Sequence, residues 1–298
     1  MKKYLAIDVG GSSIKYAFIS EDLNIIEKSS VVTPKDSLEE FIETIGSLYD
    51  KYKDSISGIA ISMPGMIDPE KGYCFTGGAL KYNDDVYMVD VLKKRCNTNI
   101  TIGNDAKCAA NAELGFGNLQ DISDGAVVIL GTGIGGCLIK DHKVHIGKHF
   151  SAGEFSFIKT DYKDATTWNS SWAYRNGISS LLKRVQKSLN TTEKYTGLQI
   201  FEMANNNNEK VIEAINDFAY EVATQIFNVH AIFDCEKVGI GGGISEQELL
   251  IDLIKKNLDL IFDGLGGYFP KPEIVACKFK NDANLIGALY QHLSTYCN

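Results

Sequence analysis

YLAIDVGGSSIKYAFIS, residues 4–20, decides the fold. Two apolar runs flank Gly10, Gly11, Ser12 and Ser13, and apolar runs on either side of a glycine-rich break read as two strands joined by a tight turn. The same order of elements returns at residues 125–141, GAVVILGTGIGGCLIKD, and in part at residues 238–243, VGIGGG. The chain therefore has two internally similar halves, with the polar stretch Gly117 to Gly125 as the candidate boundary.

Outward from the first hairpin, residues 36–52 (DSLEEFIETIGSLYDKY) repeat apolar side chains at steps of three and four behind an Asp36/Ser37 cap, which predicts an amphipathic helix. SGIAISMPG, residues 57–65, reads as a strand that stops at Pro64-Gly65. NITIGND (99–105) reads as another strand, and the alanine-rich 106–116 as a helix, so Asn104 and Asp105 fall at a strand-to-helix corner. The second half adds a long variable region over 150–200 that holds both tryptophans. Helices are predicted at 209–230, 246–262 and 282–293, and strands at 238–243 and 273–279. Strands alternating with helices predict α/β layers, sheets covered by helices.

Composition excludes several classes. Of 298 residues 44% are hydrophobic, the content of an ordinary globular protein long enough for one large core or two smaller ones. No apolar stretch reaches the roughly 18 residues of a membrane helix, and the start MKKYLAIDVGG enters a strand pattern without a signal-peptide core, so a cytoplasmic location is expected. Cysteines 74, 96, 108, 137, 235, 277 and 297 form neither CxxC pairs nor a Cys/His cluster; they read as reduced, mostly buried small hydrophobes, with no zinc site. A formal net charge of -8 without basic runs argues against nucleic acid as a partner.

Gly10-Gly11-Ser12-Ser13 and Gly131-Thr132-Gly133-Ile134-Gly135-Gly136 lie between apolar strands, where missing side chains let a phosphate approach backbone N–H groups. Neither matches GxxxxGK[ST], and neither opens a helix as a dinucleotide motif does. Asp8, directly before its turn, has two readings: a carboxylate holding hydrated Mg²⁺ near phosphates, or one bonded to turn N–H groups. Asp105 likewise is either a catalytic group at a strand end or a helix cap.

Taken in order, AIDVGGSSIKYAFI, SMPGMID, GNDAKCAANAE, LGTGIGGCLI, SAGEFSF and VGIGGGIS resemble the ROK family of bacterial sugar kinases and sugar-responsive repressors, over almost the whole chain. The resemblance implies an actin-like (ribonuclease H-like) α/β ATPase fold with two lobes around a cleft. It implies an N-terminal lobe of residues 1–117 rejoined by the C-terminal helix 282–298, and a larger lobe of 118–281. It implies phosphorylation of a hexose or related sugar from Mg·ATP, and a homodimer. By motif, Asp8, Gly10, Gly11 and Lys15 resemble the first phosphate motif, with Mg²⁺ at Asp8 through water. Gly131, Thr132, Gly133 and Gly135 resemble the second, and Gly241, Gly242 and Gly243 would lie along the adenosine. Asn104 would orient a sugar hydroxyl, Asp105 would act as base, and Glu154 would bind ring hydroxyls, with Gly65 and Gly78 lining the sugar side by backbone.

The chain departs from the family pattern where most members carry GExGH and a cysteine-rich zinc segment. Here the first motif reads Gly153-Glu154-Phe155-Ser156-Phe157 and the second is absent; Phe157 neither ligates metal nor donates a hydrogen bond. From Ala165 through Leu182 there is no acidic residue, where the family usually supplies another sugar-binding Glu. Trp168, Trp172, Tyr174 and Phe157 are instead available either to stack on a sugar or to pack a core. The pattern is similar to the zinc-free β-glucoside kinases, and it implies transfer to the 6-hydroxyl of a glucose unit. Glucokinase, N-acetylmannosamine kinase and a sugar-binding protein without catalysis are the alternatives. A repressor would need a helix-turn-helix ahead of the first strand, which begins by Tyr4.

Overall fold

The computed structural model describes residues 1–296; Cys297 lies outside them. Contacts divide the chain into two compact units. The first comprises Met1–Gly117, the six residues Ile146–Ser151 and the C-terminal residues from Asn281; the second comprises Asn118–His145 and Ala152–Lys280.

In chain order the first unit holds β1 (Lys3–Val9), β2 (Ser13–Ser20), β3 (Ile25–Val32), α1 (Leu38–Tyr52), β4 (Ile59–Met63), β5 (Ile67–Asp68), β6 (Tyr73–Cys74), α2 (Met88–Arg95), β7 (Ile100–Asn104) and α3 (Asp105–Phe116). The second holds β8 (Gly125–Leu130), β9 (Ile134–Lys140), β10 (Lys143–His145), α4 (Trp172–Asn176), α5 (Ile178–Leu189), α6 (Gly197–Asn205), α7 (Glu209–Phe233), β11 (Lys237–Gly241), α8 (Glu248–Asp263) and β12 (Glu273–Ala276). The last helix, α9 (Ala283–Tyr296), packs in the first unit against α3, β4 and β1.

Both main sheets have one topology. The first runs β3-β2-β1-β4-β7, antiparallel from β3 to β1 and parallel from β1 to β7; the second runs β10-β9-β8-β11-β12 with the same senses. The ribonuclease H-like α/β unit that the resemblance implies is thus present twice.

The apolar runs that predicted strands are continuous because helices cover both faces of the central strands. On β1, Leu5, Ile7 and Val9 join the core that contains Phe41, Ile45 and Leu48 of α1. Tyr4 and Ala6, on alternate positions, pack with Leu285 and Leu289 of α9. In the second unit α7 buries Val211, Ala214, Ile215, Phe218, Val222, Ile226 and Val229, a stripe at helical spacing. Asn208 caps its start by accepting from the Val211 N–H at 3.3 Å.

The predicted elements are present with shifted ends: the strand expected over 273–279 stops at Ala276, the helix expected from 246 starts at Glu248, and the helices expected to end at 230 and 293 run on to Phe233 and Tyr296. Sequence reading passed over β3, whose IIEKSSVV is an edge strand that exposes Lys28, Ser29 and Ser30 along with Ile26 and Val32, so it lacks a clean alternation. It also left 150–200 undivided, where α4, α5 and α6 form. The signal in α5 was present: Ile178, Leu181, Leu182 and Val185 keep helical spacing, and Leu181 and Val185 are buried.

Of the six described cysteines five are buried and Cys277 is half-buried. Burial pushes the thiols of Cys74 and Cys235 up to about 12 and that of Cys96 to about 11, so these three stay protonated at neutral pH. No described helix is long and apolar enough to cross a membrane.

Candidate active site

Parallel strands end together, so the register of β1, β4 and β7 decides which side chains meet at their C-terminal ends. Asp8 pairs with Ser62 across β1 and β4, and Met63 pairs with Asn104 across β4 and β7. Asp8, the end of β4 and the Asn104-Asp105 corner therefore share one sheet edge of the first unit.

Asp8 is buried, and its Oδ1 accepts from Asn284 Nδ2 at 2.9 Å and from Ser62 Oγ at 3.4 Å. Burial raises its carboxyl above the ordinary aspartate range, opposed by the Asn284 hydrogen bond, the Lys15 charge and the Ser62 hydroxyl. Lys15 faces Asp8 directly across the β1–β2 ladder. The Gly10-Gly11 turn closes with the Gly10 N–H donating to Ser13 O at 3.0 Å, and Thr33 Oγ1 donates to Gly10 O at 2.6 Å. A single buried carboxylate beside a glycine turn suits a Mg²⁺ ion that keeps most of its ligands as water and phosphate, and a cation would offset the burial that disfavours the ionised Asp8.

Asn104 ends β7 and caps α3, its Oδ1 accepting from the Lys107 N–H at 3.2 Å. Its Nδ2 donates to Gly65 O at 3.0 Å, which ties the corner to the turn after β4. Asp105, half-buried, is the first residue of α3, and its Oδ1 accepts from the Ala106 N–H at 2.8 Å. Gly65 and Gly78 both have positive φ, +112° and +62°.

In the second unit the β8–β9 turn closes with the Gly131 N–H donating to Gly133 O at 3.0 Å, while Gly131 O accepts from Ile178 N–H at the start of α5. Thr132 at its tip is exposed, and Gly135 stands opposite Ile129 in the β8–β9 ladder. Gly241 ends β11 opposite Ile129 of β8, so Gly242 and Gly243 emerge at the same sheet edge. Gly242 has φ +94°, and a Cβ there would lie 2.2 Å from Leu130 O, so only glycine fits between the two strands. Ser245 Oγ donates to Gly242 O at 2.8 Å and holds the loop in shape.

Glu154, half-buried, precedes a single helical turn, Phe155–Phe157, in which the Phe157 N–H donates to Glu154 O at 3.2 Å. Ser156 Oγ donates to Ile134 O, anchoring this turn beside the β8–β9 glycine turn. The four aromatic residues considered for stacking separate. Trp172 is fully buried against Phe155, ring centroids 5.7 Å apart, and forms core; its offer as a stacking surface is corrected, because α4 drives it inward. Phe157, Trp168 and Tyr174 are exposed.

Sequence reading missed Asn284, Ser62 and Thr33. Asn284 lies in the C-terminal helix that the resemblance returns to the N-terminal lobe, and Ser62 opens SMPG at the end of β4. Among the described residues no group of three or more His, Cys, Asp or Glu is placed to hold a metal ion.

Comparison with known proteins agrees over the full length. The ROK family model matches residues 4–293. A β-glucoside kinase of Klebsiella pneumoniae is 27% identical over 296 residues, 99% of this chain and 97% of that protein. A β-glucoside kinase of Listeria monocytogenes is 28% identical, covering 98% and 97%. Among solved structures, a ROK family protein from Streptococcus pneumoniae in complex with sucrose superposes with a TM-score of 0.87, at 28% identity and 98% coverage of each chain.

Proposed function

This chain belongs to the ROK family and is an ATP-dependent carbohydrate kinase, and we propose that it transfers the γ-phosphoryl group of ATP to the 6-hydroxyl of a glucose unit, with a β-glucoside as the acceptor. The observation that carries the catalytic part is the shared sheet edge of Asp8, Asn104 and Asp105 in the first unit. Similarity to two β-glucoside kinases supports the acceptor, and a relative that holds sucrose, in which glucose is α-linked, supports room for a second ring.

A sugar hydroxyl is a poor nucleophile at neutral pH. Asp105 accepts its proton as the oxygen bonds to the γ-phosphorus and the bond from that phosphorus to the β–γ bridging oxygen breaks, leaving a sugar 6-phosphate and ADP. Asn104, locked by its bonds to Gly65 and Lys107, orients the hydroxyl, and Glu154 accepts from ring hydroxyls. Backbone N–H groups of the Gly10-Gly11 and Gly131–Gly133 turns hold phosphate oxygens, Lys15 adds positive charge, and Gly135 and Gly241–Gly243 leave room for the nucleotide. Gly78, like Gly65, lines the sugar side by backbone. Asp8 would hold Mg²⁺, which when bound would supply positive charge against the phosphates.

Because the family's zinc-binding His position is Phe157, activity is expected to depend on Mg²⁺ alone. Elemental analysis of EDTA-washed protein should find less than stoichiometric zinc, and Mg²⁺ should restore turnover without it. One tightly held zinc per chain would overturn this expectation.

For the acceptor, the segment from Ala165 to Leu182 lacks acids, and two carboxylates that reach it are engaged: Asp164 accepts from Thr167 Oγ1 at 2.7 Å, and Glu221 of α7 meets Arg184 at 2.5 Å and Arg175 at 3.6 Å. The segment therefore offers no carboxylate of its own to accept from the hydroxyls of a free monosaccharide, and hydrogen bonds are what let a pocket reject close analogues. Appreciable kcat/KM on cellobiose, gentiobiose or an aryl β-glucoside relative to glucose is expected, with phosphate on O6 by NMR. Activity confined to glucose, N-acetylglucosamine or N-acetylmannosamine in the same panel would reject the β-glucoside while leaving the kinase chemistry intact.

A further inference from the structure

We propose that Phe157 and Trp168 together form the subsite for the aglycone, the ring joined to the glucose unit through its β-glycosidic oxygen. This rests on the reading of the chain as a β-glucoside kinase with Glu154 on the sugar. Two aromatic pairs form in this stretch, and they differ in burial. Phe155 and Trp172 are in the core, whereas Phe157 is 64% and Trp168 50% exposed, their rings edge to face with centroids 5.6 Å apart. An edge-to-face pair leaves ring faces open, and an open face is what the C–H side of a pyranose or an aryl ring covers.

The pair is held in place before any ligand arrives. Phe157 closes the helical turn that begins at Glu154, so the proposed platform and the proposed sugar ligand move as one piece. Trp168 sits in its own short turn, Trp168–Ser170, drawn back onto the strand-like segment after Phe157: the Thr160 N–H donates to Ser170 O and the Trp172 N–H to Ile158 O, both at 2.7 Å. Lys159 Nζ donates to Thr167 O, also at 2.7 Å. A rigid surface loses little entropy on binding, the usual condition for a useful stacking site. Two rings make a patch of about the size of one sugar or aryl ring, well short of the roughly 800 Å² per partner that a stable protein interface covers.

The test compares kcat/KM for an aryl β-glucoside and cellobiose with that for glucose in wild type, Phe157→Ala, Trp168→Ala, Phe157→Tyr and Trp168→Phe. Each alanine variant should lower the glucoside-to-glucose ratio by about 3- to 10-fold, mainly through KM, and the aromatic replacements should restore most of it. Separately, an aryl β-glucoside added without ATP should perturb tryptophan emission in wild type, and Trp168→Phe should remove that response, since Trp172 is buried. A wild-type enzyme that phosphorylates β-glucosides, with alanine variants that leave the ratio unchanged, overturns the subsite and leaves the β-glucoside reading standing. A wild-type enzyme inactive on every β-glucoside overturns both. Both side chains are exposed, and circular dichroism of the alanine variants should match wild type.

Discussion

Replacing Asp105 with Asn should lower kcat by about 10²- to 10⁴-fold, the worth of a general base, while nucleotide affinity is largely kept. The substitution isolates chemistry from structure. In the native protein Asp105 Oδ1 accepts from the Ala106 N–H, and an Asn side-chain oxygen accepts the same bond, so the start of α3 keeps that contact. Asn104, whose own bonds cap the helix and reach Gly65, is untouched. What Asn lacks is the capacity to take a proton from the acceptor hydroxyl at neutral pH. ADP formation with sugar present, and ADP or ATP affinity by calorimetry, are the two measurements. Near-native turnover would end the assignment. Loss of nucleotide affinity in step with turnover would place Asp105 in binding rather than proton transfer.

Gly65→Ala should be strongly damaging, with a cost of about 3 kcal/mol or more and a fall in Tm of roughly 5–10 °C. Gly65 has φ +112°, a region that residues with a Cβ rarely occupy, and an added Cβ would sit 1.8 Å from Thr76 O. The clash is with backbone, so no rotamer change relieves it. Thr76 is itself fixed, its Oγ1 accepting from the Met66 N–H at 3.0 Å, and the Phe75 N–H donates to Met66 O at 2.9 Å. Any relief must therefore shift Gly65 O, the acceptor that holds Asn104. In protein that still folds, KM for the sugar should rise more than KM for ATP. Gly243→Ala is the stability control, since a Cβ there meets nothing within 4 Å and its φ is not in the left-handed region. Equal Tm values for the two variants would contradict the steric argument.

The features legible in the sequence were those decided within a few residues. The hairpins of β1–β2 and β8–β9 follow from apolar runs interrupted by glycine, and their repetition predicts two similar halves. The Asn104-Asp105 corner was readable as a strand-to-helix junction, but the cap was offered to Asp105, whereas Asn104 is the residue that bonds the N–H three residues on. The stripe on α7 was readable because one buried face imposes one period.

Tertiary structure decided the rest. Asn284 is remote in sequence from Asp8, and nothing in the local pattern of either announces the 2.9 Å bond between them; it arises because α9 returns to pack beside β1. The left-handed turn at Gly65 was visible as Pro-Gly, but its role in holding Asn104 depends on the parallel register that sets β4 beside β7. The sharpest case is the two tryptophans. Trp168 and Trp172 are four residues apart in a stretch without strong periodicity, so composition offered them equally as core or as contact surface. Their separation into one exposed and one buried ring follows from the bonds of Ser170, Thr160 and Ile158 that fold the segment back on itself and from the space Phe155 leaves. Burial is a property of the neighbours a side chain finds, and those neighbours are assembled from distant parts of the chain.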